Sequence, residues 1–562
     1  MGIPSYFAHV LKKYPRVIKR ISELPCINNL YLDCNGMIYD VVRQMQYSPD
    51  KQAEYEAELL QRICESIDAC IEILRPTNRV FIAFDGVAPV AKLNQQRERR
   101  YKSWYLSVME TQRRRDITAQ NQKNGVKGRI EPPKPAWNTS AITPGTNFMN
   151  MLHTKLLEYF DASDPDALNA RYGATIIISS SKEPGEGEHK LFEYIREHAA
   201  QHAAETTVIY GLDADLIMLC MSHLHVSRGI YLYRETPEFV RSINVALDEQ
   251  ERYYMDIPEF ADAIVEQLTG GEVPLTNMGA KIMDYIFVCF MLGNDFMPHF
   301  PALNIRTTGI ATLLEAYRAT IASDETITMQ GGGIHWPTYK KFIAALATQE
   351  LTLVRKEHTT RDRQARHTRD TDKEDDVMHD VMMLPMTQRD VERSIDPFNA
   401  GWERRYYATL CDIPMDGKTD AAEIAALCRN YLEGMEWTFQ YYTRGCVDWK
   451  WTYANHYPPL LADLVQHIPD NANANTLSFL QVKPKEPIRD VVQLCYVLPK
   501  ASHALLPPAV ARGLMRSKLA SKYTDDGSHD FKWAYCRYFW ECHTDLPALD
   551  LRELEDIVKK TD

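Results

Sequence analysis

Seven carboxylates and one basic stretch carry the side-chain types with which this chain could do chemistry. Glu186 and Glu188 lie two positions apart in KEPGEGEHK (182–190), and Asp213 and Asp215 repeat that spacing in GLDADL. In extended backbone, side chains at i and i+2 point the same way, so each pair predicts two carboxylates in one small volume. Their repulsion raises a pKa unless cations intervene. Magnesium resolves the conflict, because it is a hard ion held by carboxylate oxygens together with substrate phosphates. Two such ions can activate a water and stabilise the departing oxygen of a phosphodiester. Asp33, Asp85 and Asp295 follow other apolar runs and complete the set. Any one of these acids alone reads as a turn residue or helix cap; their shared placement is what predicts a metal site. No Cys or His cluster at metal-ligand spacing competes for a softer ion.

The basic stretch is AKLNQQRERRYKSW (91–104), in which Lys92, Gln96, Arg99 and Arg100 fall at offsets i, i+4, i+7 and i+8. That spacing predicts one face of a helix, a row able to hold a phosphate through charge-assisted hydrogen bonds. A solvated charged helix is the plainer reading of such composition; closeness to Asp85 favours the phosphate. Farther along, WTFQYYTRGCVDWKWTYANHYPP (437–459) offers Trp449 and Trp451. Such rings either stack on nucleic-acid bases or fill a core. His189 and His299 read as structural or hydrogen-bonding groups.

Positioning these residues requires a particular framework. NNLYLD (28–33), RVFIAFDG (79–86), ATIIISSS (174–181) and TVIYGLD (207–213) read as buried strands separated by helical segments. This predicts an α/β unit with a largely parallel sheet, whose acids converge beyond the strand ends. Asp295 sits at the break after DYIFVCFML (284–292). Residues 355–376 are almost wholly polar and read as a solvated linker or insertion. The expected division is therefore a nuclease-like unit over 1–350, a charged linker over 351–390 and a second packed region over 391–562.

At 562 residues the chain exceeds the roughly 250–300 at which one hydrophobic core stops growing, so at least two packed units are expected. Its 76 acidic against 64 basic side chains give a net charge of −12, which repels a polyanion overall and confines any nucleic-acid site to a local patch. The 12 cysteines contain no C-x-x-C pair, against a zinc knuckle. No stretch has the apolar length of a membrane span, and no secretory signal is evident, so an intracellular protein without membrane contact is expected.

MGIPSYF, LDCNG, FDGVAPVAKLNQQRERR, SAITPGTNFM, PGEGEHK, GLDADLI and LGNDFMPHFP, in this order, resemble the motifs of the Xrn-type 5′-3′ exoribonuclease family. Weaker similarity continues through YYTRGCVDWKW, HYPPLLADL and LPKASHALLPP. The resemblance implies a PIN-like α/β nuclease domain followed by a mainly helical second conserved region. It assigns metal binding and catalysis to Asp33, Asp85, Glu186, Glu188, Asp213, Asp215 and Asp295, with two Mg2+ ions and Mn2+ as a substitute. It assigns the 5′-monophosphate pocket to Lys92, Gln96, Arg99 and Arg100, and base stacking to Tyr39, where the family usually has histidine, and to Trp449 or Trp451. The implied activity is processive degradation of single-stranded RNA bearing a 5′-monophosphate by a monomer, with decapping or RNA-processing proteins as partners. The cytoplasm is the expected compartment, the nucleus the alternative. A structure-specific DNA flap nuclease and an inactive RNA-binding scaffold stay open as other readings.

Overall fold

Apolar and β-branched residues fill the runs at 29–33, 79–83, 175–179 and 207–210, and each forms a strand of one sheet. A computed structural model describes residues 5–24, 26–123, 135–160, 171–234, 248, 251–271, 277–370, 377–470, 477–481, 486–524 and 529–561. The sheet comprises β1 (Ile18–Arg20), β2 (Asn29–Asp33), β3 (Arg79–Ala83), β4 (Thr175–Ser179), β5 (Thr207–Tyr210), β6 (Ile230–Tyr233) and β7 (Tyr253–Asp256). Its order is β1-β7-β6-β5-β2-β3-β4. Strands β6, β5, β2, β3 and β4 are parallel, and β7 is antiparallel to both its neighbours. The chain steps from β2 through β3 to β4, then returns to lay β5 on the other side of β2. Strand order therefore reverses between β2 and β5, where the connections diverge and leave a crevice beyond the carboxyl ends.

The helices that bear on the site are α1 (Tyr6–Lys13), α2 (Asn35–Gln44), α3 (Gln52–Leu74), α4 (Val90–Lys123), α5 (Gly187–Glu197), α6 (Asp215–Ser222), α7 (Met278–Cys289), α8 (Glu350–Asp370), α9 (Asp420–Arg444), α10 (Asp490–Val497) and α11 (Leu551–Lys559). Alternation along the strands splits the core in two. Leu30, Leu32, Val80, Ile82, Val208 and Tyr210 pack against Met37 and Ile38 of α2 and Leu59 and Ile63 of α3. Tyr31, Phe81 and Ile209 point the other way, into a cluster that continues through α5, α6 and α7 to Trp437 and Tyr441 of α9. A third cluster joins Val90 and Leu93 of α4 to Val492 of α10 and Leu554 of α11. The helical part of the chain thus shares its interior with the sheet. No helix among the described residues is long and apolar enough to cross a membrane.

The stretch read as a solvated linker proves different. Residues 355–370 belong to α8, whose face of Val354, Glu357, His358, Arg361 and Ala365 is buried. Arg361 donates to both oxygens of Glu392 at 2.9 and 3.0 Å, and Arg389 pairs with the same carboxylate. Polar side chains at helical spacing are buried because they neutralise one another. Residues 371–376 lie outside the described residues.

Candidate active site

Each predicted acid is placed by the end of a strand or the start of a helix. Asp33 closes β2, and Asp85 lies two residues beyond the end of β3. Glu186 caps α5 and Glu188 lies in its first turn; Asp215 opens α6, preceded by the exposed Asp213. The two pairs therefore straddle helix N-termini, with Glu186 still in extended backbone and Glu188 already helical, and the partial positive charge of the free N–H groups there favours carboxylates. Gly187 lets the cluster close. Its N–H donates to Asp85 Oδ1 at 2.7 Å, and a Cβ there would sit 2.7 Å from Asp33 Oδ1. Asp295 follows Gly293, whose φ of +85° turns the chain after α7.

All seven acids share one electrostatic neighbourhood. Burial, then the charges of Asp85, Asp213 and Asp215, holds Asp33 well above the usual carboxylate range. Burial, with Asp215 and Glu186 beside it, does the same to Glu188. Burial, aided by Asp213 and Asp295, pushes Asp215 up to about 7. Glu186 is raised by burial against the pull of Lys92. Asp295 goes the other way: although burial raises it, Lys92 holds it well below its ordinary value. Among the described residues, three buried oxygens, Asp33 Oδ1, Glu188 Oε2 and Asp215 Oδ1, have no hydrogen-bond donor. Buried anionic oxygens without donors are costly unless a cation meets them, so this donor set fits hard divalent ions. Glu186, Glu188 and His189 also offer ligand atoms within 4.8 Å of one another.

The basic row divides. Lys92 is buried and bridges Glu186 Oε2 at 2.6 Å and Asp295 Oδ2 at 2.5 Å, so it neutralises those two acids. Arg99 is exposed; Arg100 donates to Thr143 Oγ1 at 2.7 Å and to Gln96 Oε1 at 3.4 Å. Burial brings Arg100 down to about 10, offset in part by Tyr39 and Asp85 nearby. Tyr39 is half-buried on α2. Trp451 is 9% exposed and stacks on Trp437 at 5.0 Å, which stacks on Tyr441 at 4.9 Å, which stacks on His189 at 3.7 Å. That ring column is interior. Trp449 is half-buried, and its carbonyl accepts from Val90 N at 2.9 Å at the head of α4.

Four residues join the site that the sequence reading did not select. The Asn35 side chain donates from Nδ2 to Asp85 Oδ2 at 2.5 Å, and its Oδ1 accepts from Asp85 N at 3.1 Å. Gln95 donates to Asp295 Oδ1 at 2.6 Å, and Tyr441 to Glu186 Oε1 at 2.8 Å. Lys190 donates to the carbonyls of Phe84 and Ser180, each at 2.8 Å, and ties the β3 and β4 exits together. Asn35 and Lys190 adjoin the acids in sequence, which is a usable signal; Tyr441 gives none.

A mostly parallel sheet, with carboxylates gathered at its switch point beside a long cationic helix, defines an α/β nuclease-like domain. Residues 1–236 match the description "XRN 5′-3′ exonuclease N-terminus", and 276–396 with 386–562 match "Xrn1 helical domain". The chain is 27% identical to 5′-3′ exoribonuclease 2 of Gallus gallus over 99% of its length and 69% of the relative's. It is 27% identical to 5′-3′ exoribonuclease 1 of Homo sapiens over 99% of its length and 34% of that protein's. With 5′-3′ exoribonuclease 2 of Saccharomyces cerevisiae the figures are 30% identity, 64% and 39%. The chain belongs to the Xrn family of 5′-3′ exonucleases.

Proposed function

We propose that this chain is a 5′-3′ exoribonuclease that hydrolyses single-stranded RNA from a 5′-monophosphate, releasing mononucleotides processively. The observation that carries the reading is the trio of donorless buried oxygens on Asp33, Glu188 and Asp215, at the foot of the helix bearing Gln96, Arg99 and Arg100. The residues that would hold magnesium, two ions in this reading with manganese as substitute, are Asp33, Asp85, Glu186, Glu188, Asp213, Asp215 and Asp295, and such ions supply activation of water and stabilisation of the departing oxygen. Lys92 and Gln95 fix the Asp295 carboxylate, and Asn35 fixes that of Asp85. Arg99, Arg100 and Gln96 present donors to a terminal phosphate, with Thr143 aiming the Arg100 fork. Tyr39 and Trp449 are the rings with exposed surface for stacking on a base, since Trp451 is engaged in the interior. RNA threaded this way presents its 5′ end to the cations and its first internal ester to the acids, which sets the direction of degradation.

One RNA carrying a 5′-monophosphate, triphosphate, cap or hydroxyl, incubated with magnesium beside a matched DNA strand, tests the proposal. Mononucleotide release should occur from the monophosphate RNA and fall by about 100-fold or more for the other ends, the scale of one lost positioning contact. Equal rates on all four ends, or preference for DNA, would overturn it.

A further inference from the structure

Beside α4, a cavity of about 570 Å³ is lined by Glu98, His299, His456 and His543, and also by Gln95 and Asp295 of the acidic site. Glu98, His456 and His543 each offer one ligand atom, all within 4.8 Å of one another. They come from three separate parts of the chain: α4, the loop at 452–456 and the short strand β9 (His543–Thr544), which pairs with β8 (Phe531–Lys532). We propose that Glu98, His456 and His543 bind one zinc-class divalent ion, which ties α4 to β9 and to the loop after Trp451.

The atoms are disposed for this. His456 Nδ1 faces Glu98 Oε1 at 3.8 Å, too long for a hydrogen bond. Ligand atoms around a tetrahedral ion with zinc's bond lengths stand about 3.4 Å apart, so a small side-chain rotation closes the polyhedron. The two imidazoles lie 5.0 Å apart with planes 27° from parallel. Among the described residues neither ring makes a hydrogen bond that a ligand would have to break. All three groups border the cavity, so a fourth position is open to water.

Charge selects the class of ion. Lys102 lies 3.9 Å from the other oxygen of Glu98, and its ammonium is held by the carbonyls of Trp540 at 3.0 Å and Cys542 at 2.6 Å. With that cation so close, one carboxylate gives little net attraction for a hard ion such as magnesium. Two imidazole nitrogens favour a borderline ion. The site is thus distinct in chemistry from the carboxylate cluster, whose Asp295 borders the same cavity.

Zinc retention by the full-length protein tests the proposal. With magnesium in excess, the purified chain should keep about one zinc ion per molecule through dialysis, measured by atomic emission. His456→Gln, His543→Gln and Glu98→Gln should each weaken zinc by about 100-fold or more, while Asp213→Asn/Asp215→Asn should leave it unchanged. Cobalt in the wild-type chain gives an answer that needs no variant: strong visible absorption marks a four-coordinate site with nitrogen ligands, weak absorption a six-coordinate oxygen site. Zinc lost with the aspartate pair but kept by the histidine variants, no retention by the wild type, or only weak cobalt absorption would each overturn the proposal.

Discussion

Gly187 shows how closely the two halves of the acidic cluster meet. The residue opens α5, where alanine is otherwise the better helix former by about 1 kcal/mol, so propensity alone favours replacement. Space forbids it: the added methyl would lie 2.7 Å from Asp33 Oδ1 and 3.5 Å from the backbone oxygen of Ala83. The cheaper relief is for Asp33 to swing out of the cluster, since the strand behind it is locked by neighbours on both sides. Gly187→Ala is therefore expected to lower turnover of 5′-phosphorylated RNA by about 100-fold with a melting temperature within a few degrees of wild type. A variant with normal turnover would mean that Asp33 does its work from another position. The two flanking glutamates were legible in the sequence as a functional pair; the need for the glycine between them was not, because it arises from a residue more than 150 positions earlier.

At the scale of elements, α8 teaches how polar sequence becomes interior. Glu350 at its start accepts from the N–H groups of Leu461 at 2.8 Å and Ala462 at 3.2 Å, capping the helix Leu461–His467 from outside. Burial, with Asp463 and Glu403 nearby, pushes Glu350 up to about 7 against those two donors. A carboxyl whose folded pKa exceeds its unfolded value contributes stability that is full below the unfolded value, near 4.5, and is lost as pH rises through about 7. At about 1.36 kcal/mol per unit, the loss is on the order of 3 kcal/mol. Glu350→Gln removes this titration, so its urea midpoint should gain on that of wild type between pH 5 and pH 8; parallel profiles would refute the assignment. Sequence periodicity served the strands of the sheet well because apolar residues mark their own burial. It failed for α8 because Glu357, Arg361 and their partner Glu392 become buried only after pairing over distances that composition does not record. The same limit hid the Glu98, His456 and His543 grouping, in which Glu98 lies more than 350 residues before the two histidines.

The molecule as a whole is longer than one core normally supports, and two units with independent interiors would be the ordinary solution. Instead one continuous cluster runs from Tyr6, Tyr31, Phe81 and Ile209 through Trp336 and Trp437 to Tyr535. The candidate acids lie on that seam: Tyr441 of α9 donates to Glu186, and the ring column from Trp451 to His189 backs the same wall. Detaching the helical region would expose several large aromatic faces at about 25 cal/mol per Å² and would strip Glu186 of a donor. The sheet and the helical region should therefore unfold together. Calorimetry of the full chain is expected to show one transition, with residual nuclease activity after heating falling along the same curve. Two resolved heat peaks would mean that the shared core is not cooperative. Activity lost well below a single peak would mean that the acids are held by something looser than the seam that this structure places behind them.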